Sequence, residues 1–98
     1  MATIPCPICA GPLELSASPP TCQVGHAVSD DDLPHQLSVR ATRALWAAVR
    51  ALEDQAATAR WRAGQPDPPA YMNDAATTAA EQAALVRQLL QRRERRPS

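Results

Sequence analysis

The chain has 98 residues with ten basic and ten acidic side chains, so it is one domain or a small module with an attached arm, and its zero formal charge does not favour general attraction to nucleic acid or membrane. All ten basic residues are arginine, phenylalanine is absent, and the few bulky apolar side chains predict a core that needs a staple: a metal, a disulfide or a partner. No apolar run is long enough to cross a membrane, and no signal-peptide pattern opens the chain, so we expect a cytoplasmic protein without membrane contact.

Residues 1–28 contain all three cysteines and five of the ten prolines, and they show no helical period. This composition predicts a small module of loops and a short β-hairpin. An odd number of cysteines, all in the first 22 residues, does not fit a secreted disulfide framework.

Four side chains in this module have the spacing of a metal site. Cys6 and Cys9 form a Cys-x₂-Cys pair, and Cys22 follows after 12 intervening residues, with His26 beyond it. Zn²⁺ prefers four soft or borderline ligands in a tetrahedron, so the set predicts one structural zinc ion, although iron accepts the same ligands. Gly11 and Gly25 are expected to give the two turns their backbone freedom. His35 is the other candidate for the fourth ligand.

Residues 29–98 predict a helical hairpin. Its parts are a helix over about 30–63, a linker over 64–69, a helix over about 70–95 and a basic tail. Ser29 is expected to cap the first helix, Pro34 predicts either a start at that residue or a kink, and Asp67 is expected to cap the second helix.

The expected inner face of each helix follows from helical spacing. On the first helix it comprises Leu37, Ala41, Ala44, Leu45, Ala48, Leu52, Ala56, Ala59 and Ala63. On the second it comprises Tyr71, Met72, Ala75, Ala79, Ala83, Val86, Leu89 and Leu90. The predicted fold class is therefore mainly α: a small zinc ribbon over residues 1–28, followed by an antiparallel two-helix hairpin.

Three segments resemble the C-terminal extension found in some bacterial protein-glutamate methylesterases of the chemotaxis type. They read CPICAGPL over 6–13, CQVGHAVS over 22–29 and ALWAAVRALE over 44–53. The resemblance spans about residues 4 to 95 and implies a zinc ribbon with long helices, with Cys6, Cys9, Cys22 and His26 at the positions of the extension's metal ligands. It implies no methylesterase activity, because the catalytic domain is absent. Ala10 departs from the pattern, which has a glycine there.

Two tryptophans lie off the expected inner face of the first helix. Trp46 and Trp61, with Arg43 and Arg50 nearby, predict a contact surface for a protein partner or a second copy of the chain. The alternative for Trp46 is that the zinc module or the second helix covers it.

The end of the chain is rich in arginine: Arg92, Arg93, Arg95 and Arg96. Such a tail is typical of a helix C-terminus, where cations stabilise the helix dipole, but it also fits nucleic-acid binding. We find no catalytic motif and expect a non-enzymatic zinc protein that acts as an interaction or regulatory adaptor. The alternatives are a nucleic-acid-binding factor of transcription or the ribosome, and a protein of zinc storage or sensing.

Overall fold

The computed structural model describes residues 3–95 and confirms the mainly α fold class, with a small sheet followed by two helices. The elements in chain order are β1 (Thr3–Pro5), β2 (Pro12–Glu14), β3 (Thr21–Cys22), α1 (Asp32–Ala63) and α2 (Met72–Arg95). The chain divides into two units whose boundary lies within α1, between Ala41 and Thr42. No helix in the described part of the chain combines the length and apolarity needed to cross a membrane.

The first unit is organised around a three-stranded antiparallel sheet in the order β1-β2-β3. Leu13, in the central strand, pairs with Ile4 on one side and Cys22 on the other, and its side chain is fully buried. Among the described residues of this unit, five form the buried apolar cluster, Cys6, Leu13, Cys22, Val28 and Leu33, and three half-buried residues, Ile4, Leu15 and Leu37, pack against it. Because Leu33 belongs to α1, the start of that helix packs on the sheet.

The start of α1 follows the predicted cap. The Ser29 hydroxyl accepts a hydrogen bond from the Asp32 N–H at 3.0 Å, and the Ser29 carbonyl accepts one from the Leu33 N–H at 3.0 Å. The helix neither starts at Pro34 nor breaks there, since Pro34 is the third residue of α1. Proline is tolerated in the first turn of a helix because the N–H groups there have no carbonyl acceptor within the helix, so the missing N–H of proline costs no hydrogen bond.

The start of α2 differs from its prediction. The helix begins at Met72, five residues after Asp67, so Asp67 is not its cap. Asp67 instead has a left-handed backbone with φ of 52°, and its carbonyl accepts a hydrogen bond from the Arg62 guanidinium at 3.2 Å. Arg62 also donates to the Pro66 carbonyl at 3.2 Å. The last turns of α1 therefore hold the loop, and the second helix starts only after this loop has closed.

The second unit is an antiparallel helical hairpin. Thr42, near the beginning of this unit, accepts a hydrogen bond from Arg93, near the end of α2, at 3.1 Å. Farther along α1, Glu53 receives the Arg87 guanidinium with N–O distances of 2.9 to 3.2 Å. Because positions advance along α1 as they recede along α2, the two helices run in opposite directions.

A seam of buried and half-buried residues between these helices follows a spacing of alternately three and four residues, which is typical of coiled-coil packing. On α1 the seam comprises Thr42, Leu45, Val49, Leu52, Ala56, Ala59 and Ala63. On α2 it comprises Met72, Ala76, Ala79, Ala83, Val86, Leu90 and Arg93. The predicted faces were partly wrong. They omitted Val49 and Ala76, which are buried, and they included four exposed residues: Ala41, Ala44, Tyr71 and Leu89. The predicted inner faces were placed by their alanines, and they missed the true seam because alanine is common on every face of these helices.

Candidate metal centre

The first two cysteines lie on a tight turn between β1 and β2. The Cys6 N–H donates to the Gly11 carbonyl at 2.6 Å, and the Ala10 N–H donates back to the Cys6 carbonyl at 2.8 Å. The Ile8 N–H points at the Cys6 sulfur, 3.4 Å away. Closing this turn requires a left-handed residue, which is Ala10 with φ of 64°; the prediction that Gly11 takes a positive φ was wrong.

The other two candidate ligands flank a second turn: Cys22 is the last residue of β3, and His26 lies four residues beyond it. The Cys22 N–H donates to the His26 carbonyl at 3.0 Å, and the Gly25 N–H donates to the Cys22 carbonyl at 3.1 Å. Gly25 has φ of 95°, which confirms that glycine supplies the unusual backbone before His26. The two turns are therefore closed in the same way. In the first, the N–H of Cys6 donates to a carbonyl two residues beyond Cys9, and in the second, the N–H of Cys22 donates to the carbonyl of His26 itself.

These turns bring the four predicted donor atoms together. The sulfurs of Cys6, Cys9 and Cys22 and the ring nitrogen of His26 all lie within 4.8 Å of one another. The Cys9 and Cys22 sulfurs are 3.8 Å apart, and His26 Nδ1 is 3.4 Å from the Cys22 sulfur. All three cysteines are described and none forms a disulfide. The group could hold a metal ion.

The separations can be compared with those that a tetrahedral zinc site requires. Bonds of about 2.3 Å to sulfur and about 2.05 Å to nitrogen imply donor separations of about 3.8 Å between sulfurs and about 3.6 Å between sulfur and nitrogen. The Cys9–Cys22 distance of 3.8 Å and the His26 distances of 3.4 Å to Cys22 and 3.9 Å to Cys6 bracket these values. Three of the six donor separations are therefore close to those of a tetrahedral zinc site, and all six lie within 4.8 Å.

The exposure of the four ligands differs. Cys6 and Cys22 are buried, His26 is half-buried and Cys9 is exposed, so the site lies at the edge of the small core. His35 is exposed on α1 and is not part of the cluster. This placement favours His26 as the fourth ligand.

The environment divides the thiols into two kinds. Burial raises the pKa of the Cys22 thiol, but hydrogen bonds from the backbones of His26 and Val24 and from the side chains of Cys9 and His26 together lower the pKa to about 6. For Cys9, a hydrogen bond from the Gly11 backbone acts to lower the pKa, yet desolvation and the neighbouring Cys22 and Cys6 sulfurs leave it raised. Crowded thiols resist simultaneous ionisation, and a divalent cation among them removes that penalty.

Comparison of the chain with protein-family models, with curated proteins and with solved structures finds no match. The resemblance to the methylesterase extension therefore stays a prediction. Its implied ligand positions coincide with the four donors that the fold brings together.

The residues predicted to bind a partner lie in the helical unit and differ in exposure. Trp46 is half-buried, and the Arg87 guanidinium lies 5.6 Å from the centre of its ring. Trp61 is 65% exposed near the end of α1, and Arg43 and Arg50 are exposed on the same helix. Trp46 thus has a neighbour on α2, which is the alternative expected for it, whereas Trp61 is open to solvent.

The predicted basic tail is less uniform than its sequence. Arg93 is half-buried and donates to Thr42, whereas Arg92 is exposed. Arg95 Nε donates to the Gln91 carbonyl of its own helix at 3.4 Å. Arg96 lies outside the described residues. At least one of the four arginines is thus used in the hairpin.

Two features of the helical unit escaped prediction from the sequence. Arg87 stacks on Trp46 and forms an ion pair with Glu53. Arg87 and Glu53 are 34 positions apart, and no local sequence pattern predicts a contact at that distance. Leu85 and Leu89 are exposed together on α2. Their i, i+4 spacing, out of register with the seam, is the signal that could have revealed them.

Proposed function

We propose that this protein is a non-catalytic zinc-binding module that acts as an interaction or regulatory adaptor through its helical surfaces. The observation that carries the proposal is the convergence of three thiols and one imidazole at separations suited to a tetrahedral ion. One zinc ion joins the turn after β1 to the turn after β3.

The role proposed for the metal is structural. Cys6 and Cys22 are two of the five residues in the buried cluster of the first unit, so the ligands are also part of its core. A core of this size seldom orders a module by itself, and zinc binding supplies the missing free energy. Binding and folding of the ribbon are therefore one process.

The same donor set argues against catalysis at the metal. A catalytic zinc keeps one position for water or substrate, whereas four protein ligands fill a tetrahedron. The imidazole faces Cys6 and Cys22 through Nδ1, so it serves as a ligand and not as a general base. Chemistry is accordingly assigned to neither unit.

The proposed contact with a partner centres on Trp61. A tryptophan that is 65% exposed offers a large apolar surface, and such residues carry much of the binding free energy at protein interfaces. Arg43 and Arg50 are further exposed groups of α1 that a partner could contact. Trp46 contributes indirectly, because its ring holds Arg87 in place.

Native mass spectrometry tests the metal assignment. We expect one zinc per chain after expression with mixed metals, and loss of that zinc in the Cys22→Ser variant. A folded metal-free protein would contradict the assignment, and one iron per chain would replace zinc while leaving the ligand set intact.

Site-specific cross-linking in cells tests the adaptor role. A photoreactive residue placed at Ala57, an exposed position one turn before Trp61, is expected to capture a discrete protein, and the same residue at Gln55, an exposed control on α1, is expected to capture none. Identical cross-links at both positions would contradict the role of Trp61. Binding to duplex DNA at low salt that weakens when residues 92–98 are removed would support the nucleic-acid alternative instead.

A further inference from the structure

One face of α2 that does not belong to the hairpin seam carries exposed leucines. Leu85 is 60% exposed and Leu89 is 48% exposed, although both are large apolar side chains. Together with Gln88 and Arg92 they line a shallow depression in the surface. Residues three or four positions apart share a side of a helix. We call this side the outer face, and its residues are Asp74, Thr78, Glu81, Leu85, Leu89 and Arg92.

Charge is distributed along the outer face in a fixed order. Its acidic residues, Asp74 and Glu81, precede the leucines, and its basic residue, Arg92, follows them. Within residues 3–95, the side chains of Glu81 and Arg92 have neither a hydrogen bond nor an ion pair. The face is thus an apolar centre with opposite charges at its two ends.

We propose that a second copy of the chain covers the outer face, with the two α2 helices antiparallel about a two-fold axis midway between Leu85 and Leu89. In this arrangement each Leu85 meets the partner's Leu89, which enters the shallow depression. Glu81 lies six residues before the axis and Arg92 five residues after it. At 1.5 Å per residue, Glu81 and the partner's Arg92 differ in height by about 1.5 Å.

Charge selects this orientation over the parallel one. A parallel pair would set Glu81 against its own copy and Arg92 against its own copy, which is unfavourable. The antiparallel pair instead forms two symmetry-related Glu81–Arg92 contacts, which is the self-complementary form that a two-fold interface requires. The formal net charge of zero adds no overall repulsion between copies.

The surface is small, so the association is weak. Two leucines and their flanking charges per copy belong with transient interfaces, and a dissociation constant between roughly 10 μM and 1 mM is expected. This inference deepens the proposed function, because it names a second copy of the chain as one partner of the helical surfaces. It rests on the proposed function only for the idea that these surfaces bind a protein. It does not involve Trp61.

Sedimentation velocity on the zinc-loaded full chain, across that concentration range, tests the association. The wild type is expected to dimerise, with weaker dimerisation as salt is raised, and Leu85→Glu is expected to raise the dissociation constant at least tenfold. Asp54→Arg, a charge change at an exposed position of α1, is the control and is expected to leave the dimer unchanged. A wild-type protein that stays monomeric up to 1 mM would overturn the proposal.

Charge exchange tests the orientation. Glu81→Arg and Arg92→Glu are each expected to weaken the homodimer about two- to fivefold, whereas an equimolar mixture of the two variants is expected to form a heterodimer. The double variant is expected to recover wild-type dimerisation. If the double variant is as weak as the singles, the antiparallel pairing is wrong. Because Trp61 is unaltered in every variant, cross-linking from Ala57 in the Leu85→Glu background reports separately on the proposed function.

Discussion

Replacing Ala10 by glycine is expected to tighten zinc binding, and this tests the link between the backbone of the first turn and the metal. Ala10 has φ of 64°, in the left-handed region, and follows directly after the ligand Cys9. The resemblance to the methylesterase extension places a glycine at this position. Without a Cβ, the residue adopts the left-handed conformation without steric cost.

The magnitude follows from two opposing effects. A left-handed conformation costs an L-residue such as alanine about 1–2 kcal/mol. Glycine removes that cost but makes the unfolded chain more flexible, which offsets about 0.4–1 kcal/mol of the gain. The net stabilisation of about 0.5–1 kcal/mol corresponds to a zinc dissociation constant that is about two- to fivefold smaller, because binding and folding are coupled.

Competition with a chromophoric zinc chelator measures this effect. The converse substitution, Gly25→Ala, provides a matched comparison, since Gly25 has φ of 95° and an added Cβ would meet nothing within 4 Å. Steric crowding is therefore absent and only backbone strain remains, so Gly25→Ala is expected to weaken zinc binding about two- to fivefold. Unchanged or weaker binding in Ala10→Gly would refute the reasoning.

Three further predictions concern the fourth ligand and the hairpin. His26→Ala is expected to abolish stoichiometric zinc retention by the purified protein, while His35→Ala retains one zinc per chain, as measured by elemental analysis; the opposite result would reassign the ligand. Val49→Ala removes two methyl groups from a fully buried site of the seam and is expected to destabilise the hairpin by about 2–3 kcal/mol in urea unfolding followed by circular dichroism. Arg87→Ala loses both the half-exposed ion pair with Glu53 and the stacking on Trp46, and is expected to lower the free energy of unfolding by about 1 kcal/mol. High salt is expected to reduce this difference by weakening the ion pair of the wild type. An unchanged free energy of unfolding would mean that these contacts do not stabilise the hairpin.

The grouping of the four candidate ligands was predictable because the geometry of each turn is local. The Cys-x₂-Cys spacing places two sulfurs on one turn, and Gly25 before His26 announces the second turn. The mainly α class followed similarly from the alanine-rich composition of residues 29–95 and from the break at 64–69. Each of these signals is local in the sequence, so it can be recognised without knowledge of the tertiary structure.

Other features depended on contacts between distant segments. The packing of the whole seam decided which side of each helix faces the other helix, and there Val49 is buried whereas Leu89 is not. The sequence did not show this side clearly, because alanine occurs on every face of both helices. The loop held by Arg62 decided that α2 starts at Met72, since hydrogen bonds to carbonyls four and five residues away replaced the expected cap.

By itself, the sequence predicted the grouping of the four candidate ligands, the cap of the first helix and the two-helix architecture, because turn chemistry and helix propensity act over short distances. Only the tertiary structure decided that Ala10 takes the left-handed backbone, that Arg87 joins Trp46 to Glu53, and that two leucines of α2 stay exposed. These outcomes depend on how segments far apart in the chain meet, and the energy of such packing is not encoded in any single stretch of residues.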